Sequence, residues 1–289
     1  MDFRRPLTRR SQLAQSQSSL SRTRPRSSLS PFERLTSGVN IQSMLLPKFL
    51  RTENLQGLGK EKNNGQGVKK IYDLNEIFEV IQKCKSPCAK IVQVGKFELK
   101  KDDLNSVVNG IVSSVVIDAV FTIAKYLNDR RWKSGVDGRK VTIAKTKFSQ
   151  KLFGSEIKAN GFDGIHGDLM IFPIFVGYWT LLTFNSTEMI VNYYDPLNNC
   201  IYLKEILKNF YRHLSKQSHK IKPLAGKNLK NLVCQKIINT DSFTEEDSAI
   251  YMLKTVTCLC LHEETNLRSE EILKYRGELL ILLFQYGKT

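Results

Sequence analysis

Apolar runs are short throughout this 289-residue chain. None approaches the roughly 20 residues that a membrane-spanning helix needs, and the longest, Leu279 to Phe284, suits a buried terminal helix. Cysteine is sparse as well. Six cysteines with no secretory signal ahead of them do not make a disulfide scaffold, so a reducing compartment is expected. No glycine loop of the phosphate-cradling or dinucleotide-binding kind occurs. Acidic residues are missing where basic ones collect. Residues 1–40 hold eight arginines against Asp2 and Glu33, and no acid lies between Glu205 and Asp241.

What remains is an ordinary globular composition, 41% hydrophobic, with a net charge of +16 and a pI near 9.6. Such a charge favours acidic partners, whether nucleic acid or an acidic protein surface. The first 70 residues are expected to be disordered. Residues 1–40 are rich in arginine and serine and too poor in clustered apolar residues to build a core. Residues 51–70 scatter glycines among lysine and asparagine in the manner of a linker. The basic stretch suggests a nuclear or nucleic-acid-binding tail. A mitochondrial transit peptide has similar composition, but Pro6, Pro25 and Pro31 interrupt the amphipathic helix it needs.

Order is expected from about residue 71 to residue 289. Asp73 and Glu76 resemble a capping box, followed by Leu74, Ile77, Phe78 and Ile81 at helical spacing. Lys90 to Leu99 alternates like strands. Val116, Ile117, Val120, Phe121, Ala124 and Leu127 give a helical stripe over about 114–128, and a shorter helix is expected near 148–153. Three strand-like segments follow, Asp168 to Pro173, Tyr178 to Phe184 and Met189 to Tyr194; the last two form a hairpin through Asn185-Ser186-Thr187-Glu188. Asp195-Pro196 breaks the strand. A helix with Leu203, Ile206, Leu207, Phe210 and Leu214 on one face comes next, then helices over about 248–262 and 269–285. Strands in a central meander with helices before and after make the fold class α+β.

Metal binding has weak support. Cys84 and Cys88 enclose Pro87 and lack a partner pair, while Cys258, Cys260 and His262 do not share one face of a helix. Neither a metal nor another cofactor is expected.

Three positions stand out against this layout: Tyr178-Trp179, Asp195, and Asp247-Ser248-Ala249. Positions 178 and 195 are 17 residues apart, and 195 and 248 are 53 apart. The layout resembles the core of the SUMO-specific (ubiquitin-like-protein-processing) cysteine protease family, the papain-like fold shared with adenovirus protease. That family carries His-Trp after the first strand pair, Asp after the next strand, and Asp-Cys-Gly at the start of a helix. The resemblance implies a central mixed sheet flanked by helices, over roughly residues 97–285. It places the family's base at Tyr178, its aspartate at Asp195, within Tyr193-Tyr194-Asp195-Pro196-Leu197, and its nucleophile at Ser248. The oxyanion glutamine falls at Ser242; Gln235 is seven residues too early. Trp179 matches the tryptophan beside the base, and Ile111 stands where a second tryptophan would cover the tunnel for a Gly-Gly tail.

The chemistry differs from the family's. A serine hydroxyl needs a positioned base to attack a carbonyl, and a tyrosine with an ordinary pKa near 10 is not a base at neutral pH. Base, nucleophile and oxyanion donor act as a unit. Their joint replacement implies a pseudoprotease that binds protein, with SUMO or another ubiquitin-like protein as the implied partner. The alternative is an active peptidase with an altered triad using Ser248. Taken alone, Asp195 is an ordinary turn residue, Ser248 a helix N-cap and Trp179 a core aromatic. Lys208, Arg212, Lys216, Lys220, Lys222, Lys227, Lys230 and Lys236 form the acid-free run. It reads as a solvated helix face and lysine-rich loop, or as a footprint for nucleic acid or an acidic protein.

Overall fold

The computed structural model describes residues 72–135, 139–147, 167–217, 229–241, 243–265 and 267–289. The expected tail and linker of residues 1–70 and the helix expected near 148–153 lie outside the described residues.

α1 (Leu74–Lys83) starts where Asp73 accepts a hydrogen bond from the Glu76 amide at 2.8 Å, and it buries Leu74, Ile77, Phe78 and Ile81. β1 (Lys90–Val94) and β2 (Phe97–Lys100) form an antiparallel pair that turns at Gly95. α2 (Lys101–Asn109) follows directly. It has few apolar residues and was not expected from periodicity. Asp103 fixes its start, accepting from the Lys100 amide at 3.0 Å and, through its other oxygen, from the Ser113 hydroxyl at 2.8 Å. Ser113 then caps α3 (Ser114–Lys133), accepting from the Val116 amide.

Among the described residues the main sheet has five strands, in the order β3-β4-β5-β6-β7. These are β3 (Val141–Ile143), β4 (Leu169–Phe175), β5 (Trp179–Asn185), β6 (Ile190–Tyr194) and β7 (Val233–Ile237). β4, β5 and β6 form the antiparallel meander, while β3 and β7 add in parallel at its two sides. The sheet is therefore mixed. Neither β3 nor β7 announced itself, β7 because four of its five residues are exposed and no alternation marks it.

Alternation in the meander sorts its side chains onto two cores. Leu169, Ile171, Trp179, Leu181 and Tyr194 join the larger one, built with α1, α3, α5 (Ser248–Leu261) and α6 (Ile272–Tyr286). Met170, Phe172, Ile174, Leu182, Phe184, Val191 and Tyr193 face the other way, onto Ile206, Phe210 and Leu214 of α4 (Leu203–Gln217). Phe210 meets Phe172 and Phe184 edge-on, at 5.5 and 5.7 Å between ring centres. α5 is apolar almost all round because it is buried on nearly every side.

Strand direction decides where a site can form. The C-terminal ends of β4, β6 and β7 and the start of β5 fall at one end of the sheet. α5 begins at that end.

Candidate functional site

β4 returns into β5 through a tight turn in which the Val176 amide donates to the Tyr178 carbonyl at 3.0 Å. Gly177 occupies φ 103° there, a conformation in which a β-carbon is strained. The turn delivers Tyr178 to the first position of the strand end. Its hydroxyl donates to Asp195 Oδ2 at 3.2 Å, and both groups are buried.

Asp195 directly follows β6 and is fully buried, at 0% exposure. Oδ1 accepts from the Leu197 amide at 3.0 Å, and Oδ2 also accepts from the Cys200 amide at 2.8 Å. Three donors therefore surround one carboxylate. The turn it organises is tied to the end of β7. Asn198 and Asn239 exchange side-chain-to-backbone bonds, each at 3.1 Å. Asn239 Nδ2 donates to the Asp195 carbonyl at 2.7 Å, while its Oδ1 accepts from the Tyr251 hydroxyl of α5.

Ser248 is the first residue of α5 and is 1% exposed. Its hydroxyl donates to the Glu245 carbonyl at 2.6 Å and accepts from the Trp179 amide at 3.0 Å. Its own amide donates to the same Glu245 carbonyl at 3.3 Å. The expectation that Ser248 caps the helix is corrected: the cap position is Asp247. Ser248 instead bolts the helix start to β5. Asp247 receives the Thr244 hydroxyl at 2.7 Å and Arg276 Nη2 at 2.8 Å.

The three sequence positions thus meet at one end of the sheet, Tyr178 bonded to Asp195 and Ser248 bonded to the residue next to Tyr178. Neither hydrogen bond of the Ser248 hydroxyl goes to Tyr178. Burial, reinforced by the charge of Asp195, pushes the Tyr178 hydroxyl well above its ordinary pKa. It stays protonated at neutral pH and acts as a donor. Of the described histidines, His262 closes the far end of α5, about 20 Å along the 14-residue helix from Ser248. His213 lies on α4, on the opposite side of the sheet.

Trp179 is buried in the larger core and lies under Phe175, with ring centres 5.2 Å apart. Ile111, in the loop between α2 and α3, is 74% exposed. Ser242 lies outside the described residues. Gln235 stands mid-strand in β7, opposite Asn192 and away from the strand end. Lys208, Arg212 and Lys230 are exposed; Lys220, Lys222, Lys227 and the side chain of Lys216 lie outside the described residues. Cys258 and Cys260 are buried in α5, their thiols pushed up to about 11 and about 12 by burial. No cluster of metal-ligating side chains occurs among the described residues.

Arg276 of α6, at 3% exposure, is a member of the site that sequence reasoning missed. Nη1 donates to the carbonyls of Val107 (2.6 Å) and Gly110 (3.2 Å), and Nη2 to the Glu246 carbonyl (3.4 Å) and Asp247 Oδ1 (2.8 Å). One guanidinium therefore joins the loop carrying Ile111 to the loop that precedes Ser248. Nothing in the spacing of α6 singles it out, beyond its being a charge inside an apolar helix.

No protein-family model matches the sequence, and no curated protein does. Solved structures do match in fold. The C-terminal Ulp1 protease domain in complex with Smt3, the yeast ortholog of SUMO, superposes with a TM-score of 0.58 at 11% identity, over 76% of this chain and 99% of that one. The SUMO protease Ulp1 with its catalytic cysteine oxidised to a sulfenic acid gives 0.56 at 12% identity, over 76% and 98%. The catalytic domain of the Chaetomium thermophilum Ulp1-like SUMO protease gives 0.54 at 13%, over 76% and 92%. The fold is that of the Ulp1-like SUMO proteases, α+β with a mixed five-stranded sheet.

Proposed function

We propose that this domain is a catalytically inert SUMO-protease-like module that binds protein, with a ubiquitin-like protein as its partner. The observation that carries the reading is the state of the Ser248 hydroxyl. A nucleophile must present a lone pair to a carbonyl and pass its proton to a base. Here the proton points at the Glu245 carbonyl, a lone pair is taken by the Trp179 amide, and the side chain is buried. The residue at the base position is a protonated tyrosine whose own proton is directed at Asp195. The helix N-terminus that would favour a thiolate faces a neutral hydroxyl. The site offers no group poised to attack a carbonyl, which leaves binding as its role.

The solved complex of the Ulp1 domain with Smt3 supports the choice of partner class, and the net charge of +16 favours an acidic one. The test has two arms. Purified protein incubated with a fluorogenic SUMO conjugate is expected to give no turnover above a Ser248→Ala control, and a SUMO vinyl sulfone is expected not to attach. Calorimetric titration with intact SUMO is expected to show saturable binding. Turnover lost in Ser248→Ala would establish the altered-triad peptidase instead. Silence in both arms would remove the ubiquitin-like partner.

A further inference from the structure

β7 closes one side of the main sheet, and among the described residues no strand pairs with its outer edge. An edge strand exposes a row of unpaired N–H and C=O groups, a template on which another extended chain can add. Proteins that avoid such pairing blunt the edge with a very short strand, proline, a bulge or charged side chains, lysine above all. Of these, the five-residue β7 has a single lysine. Its register against β6 runs unbroken from Val233 to Ile237, it contains no proline, and its one charge, Lys236, is exposed. Apolar side chains stand uncovered at both ends, Val233 at 51% exposure and Ile238, just past the strand, at 70%.

The surroundings select the partner's charge. Lys230 and Lys236 are exposed on and beside the strand. Tyr211 of α4 packs into the same apolar cluster as Leu229 and Leu232, the residues that lead into β7, which brings α4 near the start of that strand. Lys208 and Arg212 flank Tyr211 on that helix and are exposed. No acid lies between Glu205 and Asp241. We infer that β7 is a docking edge that receives, by strand addition, an extended apolar segment flanked by acidic residues from a partner protein. Main-chain bonds hold the added strand, Val233 and Ile238 contact its apolar residues, and the basic side chains meet its acidic flanks. Nucleic acid is the weaker match, since a phosphate backbone uses the charge but neither the unpaired peptide groups nor the apolar ends. This inference stands apart from the reading of the site around Ser248.

The test uses the full chain and a fluorescein-labelled synthetic peptide with an alternating valine/isoleucine core between aspartate-rich ends. Anisotropy is expected to show saturable binding, weakened about tenfold by Lys236→Glu and again by Ile238→Asp, each equivalent to about one lost favourable contact. Both positions are exposed, and unchanged melting temperatures will show that the variants fold. N-methylation of alternate core amides in the peptide is expected to weaken binding at least as much. Hydrogen exchange should slow at β7 amides when the peptide is bound. Equal affinity of the N-methylated peptide, unprotected β7 amides, or no binding at millimolar peptide would each overturn strand addition. Duplex DNA that binds in a Lys236-dependent way while the peptide does not would assign the surface to nucleic acid.

Discussion

Replacing Arg276 by methionine keeps the bulk of the side chain and removes four hydrogen bonds, one of them to a carboxylate. The Arg276 side chain is buried, at 4% exposure, while that of Asp247 keeps 27%. Water can therefore re-solvate Asp247 in the variant, and its share is the ordinary net value of a charged hydrogen bond, about 1.5–3 kcal/mol. The carbonyls of Val107, Gly110 and Glu246 contribute about 1 kcal/mol each at most, less where water enters. Taken at mid-range, these terms sum to about 3–4 kcal/mol, within the range for breaking a buried ion pair. For a domain of 150–250 residues each kcal/mol shifts the melting temperature by about 2–4 °C, so a drop of about 6–16 °C is expected. Arg276→Lys is expected to lose nearly as much, because an ammonium cannot fork to both loops at once. Thermal denaturation gives the single variants, and a double-mutant cycle with Asp247→Asn isolates the ion pair. A coupling under about 0.5 kcal/mol together with a melting shift of less than 2 °C would refute the claim that this guanidinium holds the two loops together.

Asp195→Ala leaves two amides and the Tyr178 hydroxyl without an acceptor inside the protein, so a loss of about 3–5 kcal/mol is expected, measured by urea denaturation. Tyr178→Phe removes only one of those donors and is expected to cost about 1.5–3 kcal/mol; a reversed order would mean that the turn at 195–200 is held by something else. Ser248→Cys places a thiol where no imidazolium exists to stabilise a thiolate, so iodoacetamide at neutral pH is expected to leave it unmodified. Labelling at the rate of a free cysteine would refute that. Burial raises the hydroxyls of Tyr178, Tyr193 and Tyr275 and pushes that of Tyr251 up to about 12. Because these folded values lie above the ordinary value of about 10, the fold prefers the protonated form. Stability should be fully present below about pH 10 and should fall from there towards pH 12. Urea midpoints that stay level through that window would show that these hydroxyls ionise without loss of fold.

The meander and the helices with apolar stripes were legible because burial on one or two faces writes a period into the sequence. Tyr178–Phe184 was expected and Trp179–Asn185 is observed, a shift of one residue at a tight turn. β7 was not legible, since Val233, Gln235 and Lys236 are exposed and carry no alternation. α2 was hidden for a related reason: its start is fixed by Asp103 through hydrogen bonds, with little apolar surface behind it. At the site, the family resemblance, carried by motif spacing, singled out positions 178, 195 and 248, and they meet at one end of the sheet. The bonds that fix their roles were invisible. Asn198 and Asn239 lie 41 residues apart, and Arg276 lies 166 residues from Gly110; no local pattern records such pairings.

The residues at 178 and 248 suit what each neighbour requires. Asp195 is fully buried, and a buried carboxyl group without hydrogen-bond partners is costly. Two amides supply part of what it needs, and the third donor comes from position 178. An imidazole could give that bond, and so can a tyrosine hydroxyl. A phenylalanine could not. The same reasoning applies at 248. The Trp179 amide, at the first position of β5, is buried and needs an acceptor, and the Glu245 carbonyl takes the hydroxyl proton. Serine meets both demands. Alanine meets neither, and a thiol meets them weakly. The Tyr178 and Ser248 hydroxyls are thus both engaged by fixed partners, and the same bonds join the start of β5 to the turn after β6 and to the start of α5.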